Sequence, residues 1–117
     1  MTIKISFYRT SNGRIPVKEY LKSLEPFQIA KIRNVFRLLK EFGSRNSYIF
    51  IKKIKGKKYN GLYEIKVRYS RILYFLDINN EYILLHGYTK KTNKSPEREL
   101  DIALRRMKQY KIYQILW

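Results

Sequence analysis

The chain has no cysteine, one histidine and only nine acidic residues. Each shortage removes a class of function. Without cysteine there is no disulfide framework, no thiolate nucleophile and no thiolate metal site. A single histidine, His86, excludes a histidine-rich metal centre. No apolar run approaches the ~20 residues that span a bilayer. The opening MTIKISFYRT lacks the apolar core of a signal peptide. The expectation is a cytoplasmic protein with no membrane partner and no metal or other cofactor. Proline and glycine are also scarce, at three and five, and no repeat, linker or low-complexity tract interrupts the chain. Residues 1–117 therefore read as one domain.

What is abundant is positive charge. Twenty-six lysines and arginines against nine acids give a net charge of +17. A compact body this basic repels itself, and phosphate backbones or acidic protein segments relieve that repulsion. Eleven tyrosines accompany the charge. Cations that hold phosphates, beside rings that stack on bases, suit a nucleic-acid partner.

Periodicity orders the elements. Ile3, Ile5 and Phe7 alternate with polar residues as a strand does. Pro16 opens a short helix with Val17, Tyr20, Leu21 and Leu24 on one face. Pro26 opens a longer helix through Ile32, Val35, Phe36, Leu39 and Phe42, closed by Gly43. Strands are predicted at Tyr48–Ile54, Leu62–Arg68, Arg71–Asp77 and Tyr82–Thr89, and their short connections imply an antiparallel meander. Ser95-Pro96 starts a last helix, with Ser95 as N-cap and the stripe Leu100, Ala103, Leu104 and Met107. The ending Ile112–Trp117 is too apolar for a free tail and either covers the body or docks a partner. The fold class is α+β: an antiparallel sheet of four to five strands with helices on one side.

In that arrangement the row Glu64, Lys66, Arg68 lines the free sheet face. Arg71 and Tyr74 lie on the neighbouring strand, and His86, Lys90, Lys91 and Lys94 follow at the exit of the last one. Neighbouring strands lie about 5 Å apart, so these groups can surround one phosphate. Such a site can cleave RNA without metal. The ribose 2′-oxygen attacks the adjacent phosphorus, cations offset charge on the phosphoryl oxygens, and an acid and a base move protons. His86 is the one side chain whose ordinary pKa lies near neutrality, though a lone strand histidine is also a common packed residue. Glu64 is either the base or an ion-pair partner. The lysines are either a solvated turn or one wall of a groove. Lys57 and Lys58 lie in a generic basic cluster suited to attracting RNA.

The segment GLYEIKVRYSRILYFLDINNEYILLHGYTKKTNKSPERELDIALRRMKQY, Gly61–Tyr110, closely resembles the HigB-like, phage-type branch of the RelE/ParE toxin superfamily. The shared parts are LYE-I-K-x-R, R-I-x-Y, HG-Y-x-KK-x-x-K-S-P and E-L-x-x-A-x-x-R. The resemblance implies a metal-independent endoribonuclease that cuts mRNA on the ribosome. It also implies a cognate antitoxin, a helix-turn-helix protein whose acidic segment would match this charge. By position, Lys66 and Arg68 match the basic row of the toxin sheet. Arg71 matches the arginine that contacts the scissile phosphate, and Lys90 and Lys91 match the basic pair after the last strand. RelE-type enzymes carry lysine where Glu64 stands, and Tyr110 and Tyr113 are the candidates for their C-terminal tyrosine. Two competing readings are a ParE-like inhibitor of DNA gyrase and a non-catalytic RNA-binding module. The basic row and the HG…KK segment favour the nuclease.

Overall fold

The computed structural model describes residues 3–43, 51–94 and 96–116. Strand β1 (Lys4–Phe7) leads to helices α1 (Pro16–Lys22) and α2 (Pro26–Phe42). Proline begins both helices because its locked φ is already helical and its missing N–H is not needed there. Helix α2 ends at Gly43, whose φ of 71° lets its N–H bond back to the Leu39 carbonyl. Strands β2 (Ile51–Lys53), β3 (Tyr63–Val67), β4 (Ser70–Leu76) and β5 (Glu81–Thr89) follow, then helix α3 (Glu97–Leu116).

The five strands form one sheet in the order β1-β5-β4-β3-β2. Strands β2 to β5 are an antiparallel meander, as the short connections predict, while β1 pairs parallel with β5. The β4–β5 turn is tied by Asp77, whose Oδ1 accepts from the backbone N–H of Asn79 and of Glu81 at 2.9 Å each. The expected strand over Tyr48–Ile54 is seen at Ile51–Lys53, and its first three residues lie outside the described ones.

The helices do not share one side, which corrects the sequence expectation. Helices α1 and α2 cover Ile65, Val67, Ile72, Tyr74, Tyr82 and Leu84. Helix α3 covers the other face, setting Leu100, Ala103, Leu104 and Met107 against Leu73, Phe75, Ile83 and Leu85. The reason lies in β4 and β5, which are apolar on both faces and need cover on both.

A bulge in β5 sets its faces. Leu73 pairs with His86, but Tyr74 pairs with Leu84, so Leu85 is the extra residue. Simple alternation would turn Leu85 and His86 apart. With the bulge, both face α3. Gly87 then faces α1, where the Tyr20 ring presses on the strand so closely that a Cβ would sit 2.5 Å from its Cδ2. Helix α3 starts one residue later than the expected first position. The Pro96 carbonyl accepts the first helical bond, from Leu100 N–H at 3.0 Å, while the proposed cap Ser95 lies outside the described residues.

The last turns of α3 reverse its polarity. Lys111 and Gln114 face the body: Lys111 Nζ lies 5.5 Å over the Phe75 ring, and Gln114 donates to Asp77 Oδ2 at 3.2 Å. Ile112, Ile115 and Leu116 point outward, 57, 85 and 68% exposed. Of the two expectations for this ending, covering the body fails for these three residues. Trp117 lies outside the described residues.

Candidate active site

Register places the charged residues. On the α3 face, Lys66 of β3 is opposite Arg71 of β4, and Arg71 is opposite Tyr88 of β5. One step further along, Glu64 is opposite Leu73, and Leu73 is opposite His86. Cross-strand partners have Cβ atoms about 5 Å apart, so Lys66, Arg71 and Tyr88 form one row and Glu64 and His86 flank it.

Arg71 is nearly buried, at 9% exposure. Its Nη1 donates to the Arg68 carbonyl at 2.6 Å and to the Ser70 carbonyl at 3.0 Å. Its Nε lies 4.0 Å from Glu64 Oε2, a loose ion pair between two largely buried side chains. The guanidinium thus braces the β3–β4 turn while Glu64 offsets part of its charge. Lys66 stands exposed at the outer end of the row and has no carboxylate partner among the described residues. Tyr88 stacks on His86, with ring centroids 5.8 Å apart and planes 19° apart. Its hydroxyl is buried and has no hydrogen-bond partner among the described residues. Burial raises its pKa, and the negative Glu64 nearby adds to the rise.

His86 is fully engaged. Arg106 Nη1 donates to the Leu85 carbonyl at 2.9 Å and lies 3.0 Å from His86 Nδ1. Arginine only donates, so Nδ1 accepts and the ring proton sits on Nε2, which donates to Glu99 Oε1 at 2.9 Å. Burial holds the imidazole below its ordinary pKa; the bond to Glu99 opposes this and the Arg106 charge adds to it. The neutral ring therefore clasps α3 to β5. Neither nitrogen is open to take a proton from a substrate without breaking that clasp.

The remaining sequence-selected residues divide. Lys90 leaves β5 at the same end as the row, its N–H bonded to the Tyr69 carbonyl of the β3–β4 turn at 2.8 Å. Lys91 and Lys94 follow, both exposed. Arg68 does not join the row. It sits in the turn with φ 55°, and its guanidinium carbon lies 5.7 Å over the Phe27 ring of α2, on the opposite face. Tyr74 is not a surface residue. It is 2% exposed, stacked between Tyr63 at 5.6 Å and Tyr82 at 5.0 Å, so no base reaches it. Lys57 and Lys58 lie in a 3-10 turn beside α3, where Lys58 pairs with Asp101 Oδ1 at 2.9 Å. Tyr110 lies against the α3-side core.

Sequence reasoning missed Tyr88, Glu99 and Arg106. Glu99 and Arg106 are seven residues apart, two helical turns, which puts them on one face. Tyr88 is two residues from His86 on the same strand, hence on the same side. Both signals were present in the spacing.

No curated protein matches the chain in sequence. Among solved structures, the archaeal RelE–RelB complex from Pyrococcus horikoshii OT3 holds a chain of similar fold, with TM-score 0.56 and 16% identity over 77% of this chain and 97% of that one. The RelB–RelE antitoxin–toxin complex from Methanococcus jannaschii gives 0.54 and 22%, over 74% and 89%. The YoeB dimer from Staphylococcus aureus gives 0.53 and 15%, over 79% and 99%. The family model Phage derived protein Gp49-like (DUF891) matches residues 19–108. The chain belongs to this Gp49-like family of phage-derived proteins and is built on the fold shared by the RelE and YoeB toxins.

Proposed function

We propose that the protein is the toxin of a toxin–antitoxin pair and acts as a metal-independent endoribonuclease on mRNA, in the context of the ribosome. The observation that carries this is the row Lys66–Arg71–Tyr88 flanked by Glu64, with Lys90 and Lys91 at its open end. The likeness in fold to toxins solved with RelB supports the pairing with an antitoxin.

In this reading the scissile phosphate replaces the turn carbonyls as the partner of Arg71, and Lys66 approaches from the solvent side. Both cations meet the negative charge that grows on the phosphoryl oxygens. Glu64, released from Arg71, takes the proton of the 2′-hydroxyl as its oxygen attacks phosphorus. The products are a 2′,3′-cyclic phosphate and a 5′-hydroxyl, whose proton comes from Lys66, the exposed donor of the row. His86 holds the scaffold and moves no proton. The antitoxin brings an acidic segment, a reading supported by the +17 charge it would offset.

The test is induction of Lys66→Ala/Arg71→Ala beside wild type, with primer extension on cellular mRNA. Wild type should arrest growth and leave cuts within codons; the double variant should fold and do neither. Full toxicity of the double variant would refute the site. Arrest with DNA damage and intact mRNA would point to gyrase instead.

A further inference from the structure

The tip of the β3–β4 hairpin carries exposed aromatic surface that the reaction scheme does not use. Phe27, in the first turn of α2, is 61% exposed, and Tyr69, in the turn itself, is 68% exposed. Gln28 ties the two segments together, donating to the Val67 carbonyl at 2.8 Å and to Ser70 Oγ at 3.0 Å. Cations surround the Phe27 ring: Lys31 Nζ lies 4.9 Å from its centre and the Arg68 guanidinium carbon 5.7 Å. Neither has a carboxylate partner among the described residues. Arg68 also holds a left-handed backbone, φ 55°, that glycine would adopt without steric cost. Such backbone positions gather at functional sites.

We propose that Phe27, Arg68 and Tyr69 form a stacking platform for the bases of single-stranded RNA next to the scissile phosphate. The proposal rests on the nuclease reading for its substrate. Exposed rings bracketed by cations are how proteins hold single strands without reading sequence, the rings taking bases and the cations taking phosphates. The Arg71 guanidinium grips the Arg68 carbonyl from the other side of the turn, so platform and phosphate row share one rigid tip. A strand crossing that tip sets its phosphate on the Lys66–Arg71 row and an adjoining base on the rings. A protein partner is the competing occupant. Unpaired lysine and arginine against the ring favour the polyanion.

The platform is tested by the binding of an uncleavable oligoribonucleotide of about ten nucleotides, 2′-O-methylated throughout. Anisotropy is followed over a salt series. Phe27→Ala and Tyr69→Ala should each weaken binding about tenfold without changing the slope of log K against log salt, since they remove stacking and no charge. Phe27→Tyr should restore affinity. Arg68→Gln should flatten the slope by about 0.7, the value for one phosphate contact on a single strand. Wild type that binds this oligonucleotide but, on induction, leaves cellular mRNA uncut would sink the nuclease reading and leave the platform standing. Unchanged affinity in both ring variants would sink the platform and leave the nuclease reading intact. Ring variants that bind RNA normally but lose the antitoxin would reassign the surface to a protein partner.

Discussion

Gly87→Ala tests whether the His86-Gly87 pair is structural. The φ of Gly87 is not in the left-handed region, so the backbone alone would accept alanine. The obstacle is Tyr20. A Cβ would sit 2.5 Å from its Cδ2, 2.9 Å from its Cγ and 3.2 Å from Ile72 Cδ1. The ring has little freedom to retreat, because its hydroxyl donates to Ser70 Oγ at 2.8 Å and lies 2.9 Å from Thr89 Oγ1. Overpacking of this kind costs ~1–3 kcal/mol. Straining or breaking the two hydroxyl bonds costs ~1 kcal/mol each. Alanine recovers ~0.4–1 kcal/mol by stiffening the unfolded chain. The net is a loss of about 3 kcal/mol. At ~2.1 cal/mol/K per residue, a chain of 117 residues then melts about 12 °C lower. The assay is thermal and urea unfolding of Gly87→Ala, Tyr20→Ala and the double variant. Once the ring is gone the alanine should cost nothing or stabilise slightly. An equal loss in both backgrounds, or a Gly87→Ala protein as stable as wild type, refutes the steric account.

Three further outcomes follow from the same contacts. The His86 pKa lies below the ~6.5 of an unfolded chain, so acidification protonates the unfolded state first. Its contribution is whole above that value and is lost as pH falls toward the depressed folded value. Tm measured from pH 7 to 5 should therefore fall less steeply in His86→Gln than in wild type, and parallel curves would refute the clasp. Arg68→Gly trades a left-handed arginine for glycine, relieving ~1 kcal/mol of strain while losing ~0.5–1 kcal/mol of contact with Phe27. Its Tm should match wild type within a few degrees while RNA affinity drops, and a marked loss of stability would show that Arg68 is needed for the fold. Lys58→Ala removes an exposed ion pair to Asp101, and such pairs contribute little. Calorimetry should find its Tm nearly unchanged, and a large drop would mean that this pair, with Tyr59 donating to Asp101 at 2.7 Å, anchors the 3-10 turn to α3.

The elements were legible where period and punctuation agreed. Both proline-led helices, the Gly43 stop and the meander appear where spacing puts them. The side of the sheet taken by α3 was also legible, because the run Ile72–Leu76 is apolar on both parities. So was the fate of Tyr74. It is three residues from Arg71 on one strand, so the two cannot share a face. Two features left no local mark. The bulge at Leu85 carries no glycine or proline to announce it. The hairpin turn Arg68-Tyr69 uses neither of the residues that usually supply a positive φ, so alternation carried Arg68 into the row on paper. In the fold Val67 already pairs with Ser70, and the turn throws Arg68 to the opposite face.

The turn also explains why a chain of charge +17 buries an arginine at its site. A buried guanidinium without partners would be costly, but Arg71 donates through Nη1 to the Arg68 and Ser70 carbonyls, and Glu64 offsets its charge. Tyr20 and Gln28 hold Ser70 from the α1–α2 face, and Lys90 holds the Tyr69 carbonyl from β5. The tip is therefore tied to α1, α2 and the exit of β5 at once. In the proposed nuclease reading, an incoming phosphate has to displace carbonyls, not reorganise a loop. Arg71→Lys separates these roles. It keeps the charge but loses the planar guanidinium that joins the two carbonyls, both held by Nη1, to Glu64 beside Nε. If bracing the tip matters to catalysis, the lysine variant should lower both kcat and Tm. If charge alone matters, kcat should hold while Tm falls, and an unchanged Tm would show that the guanidinium does not brace the turn.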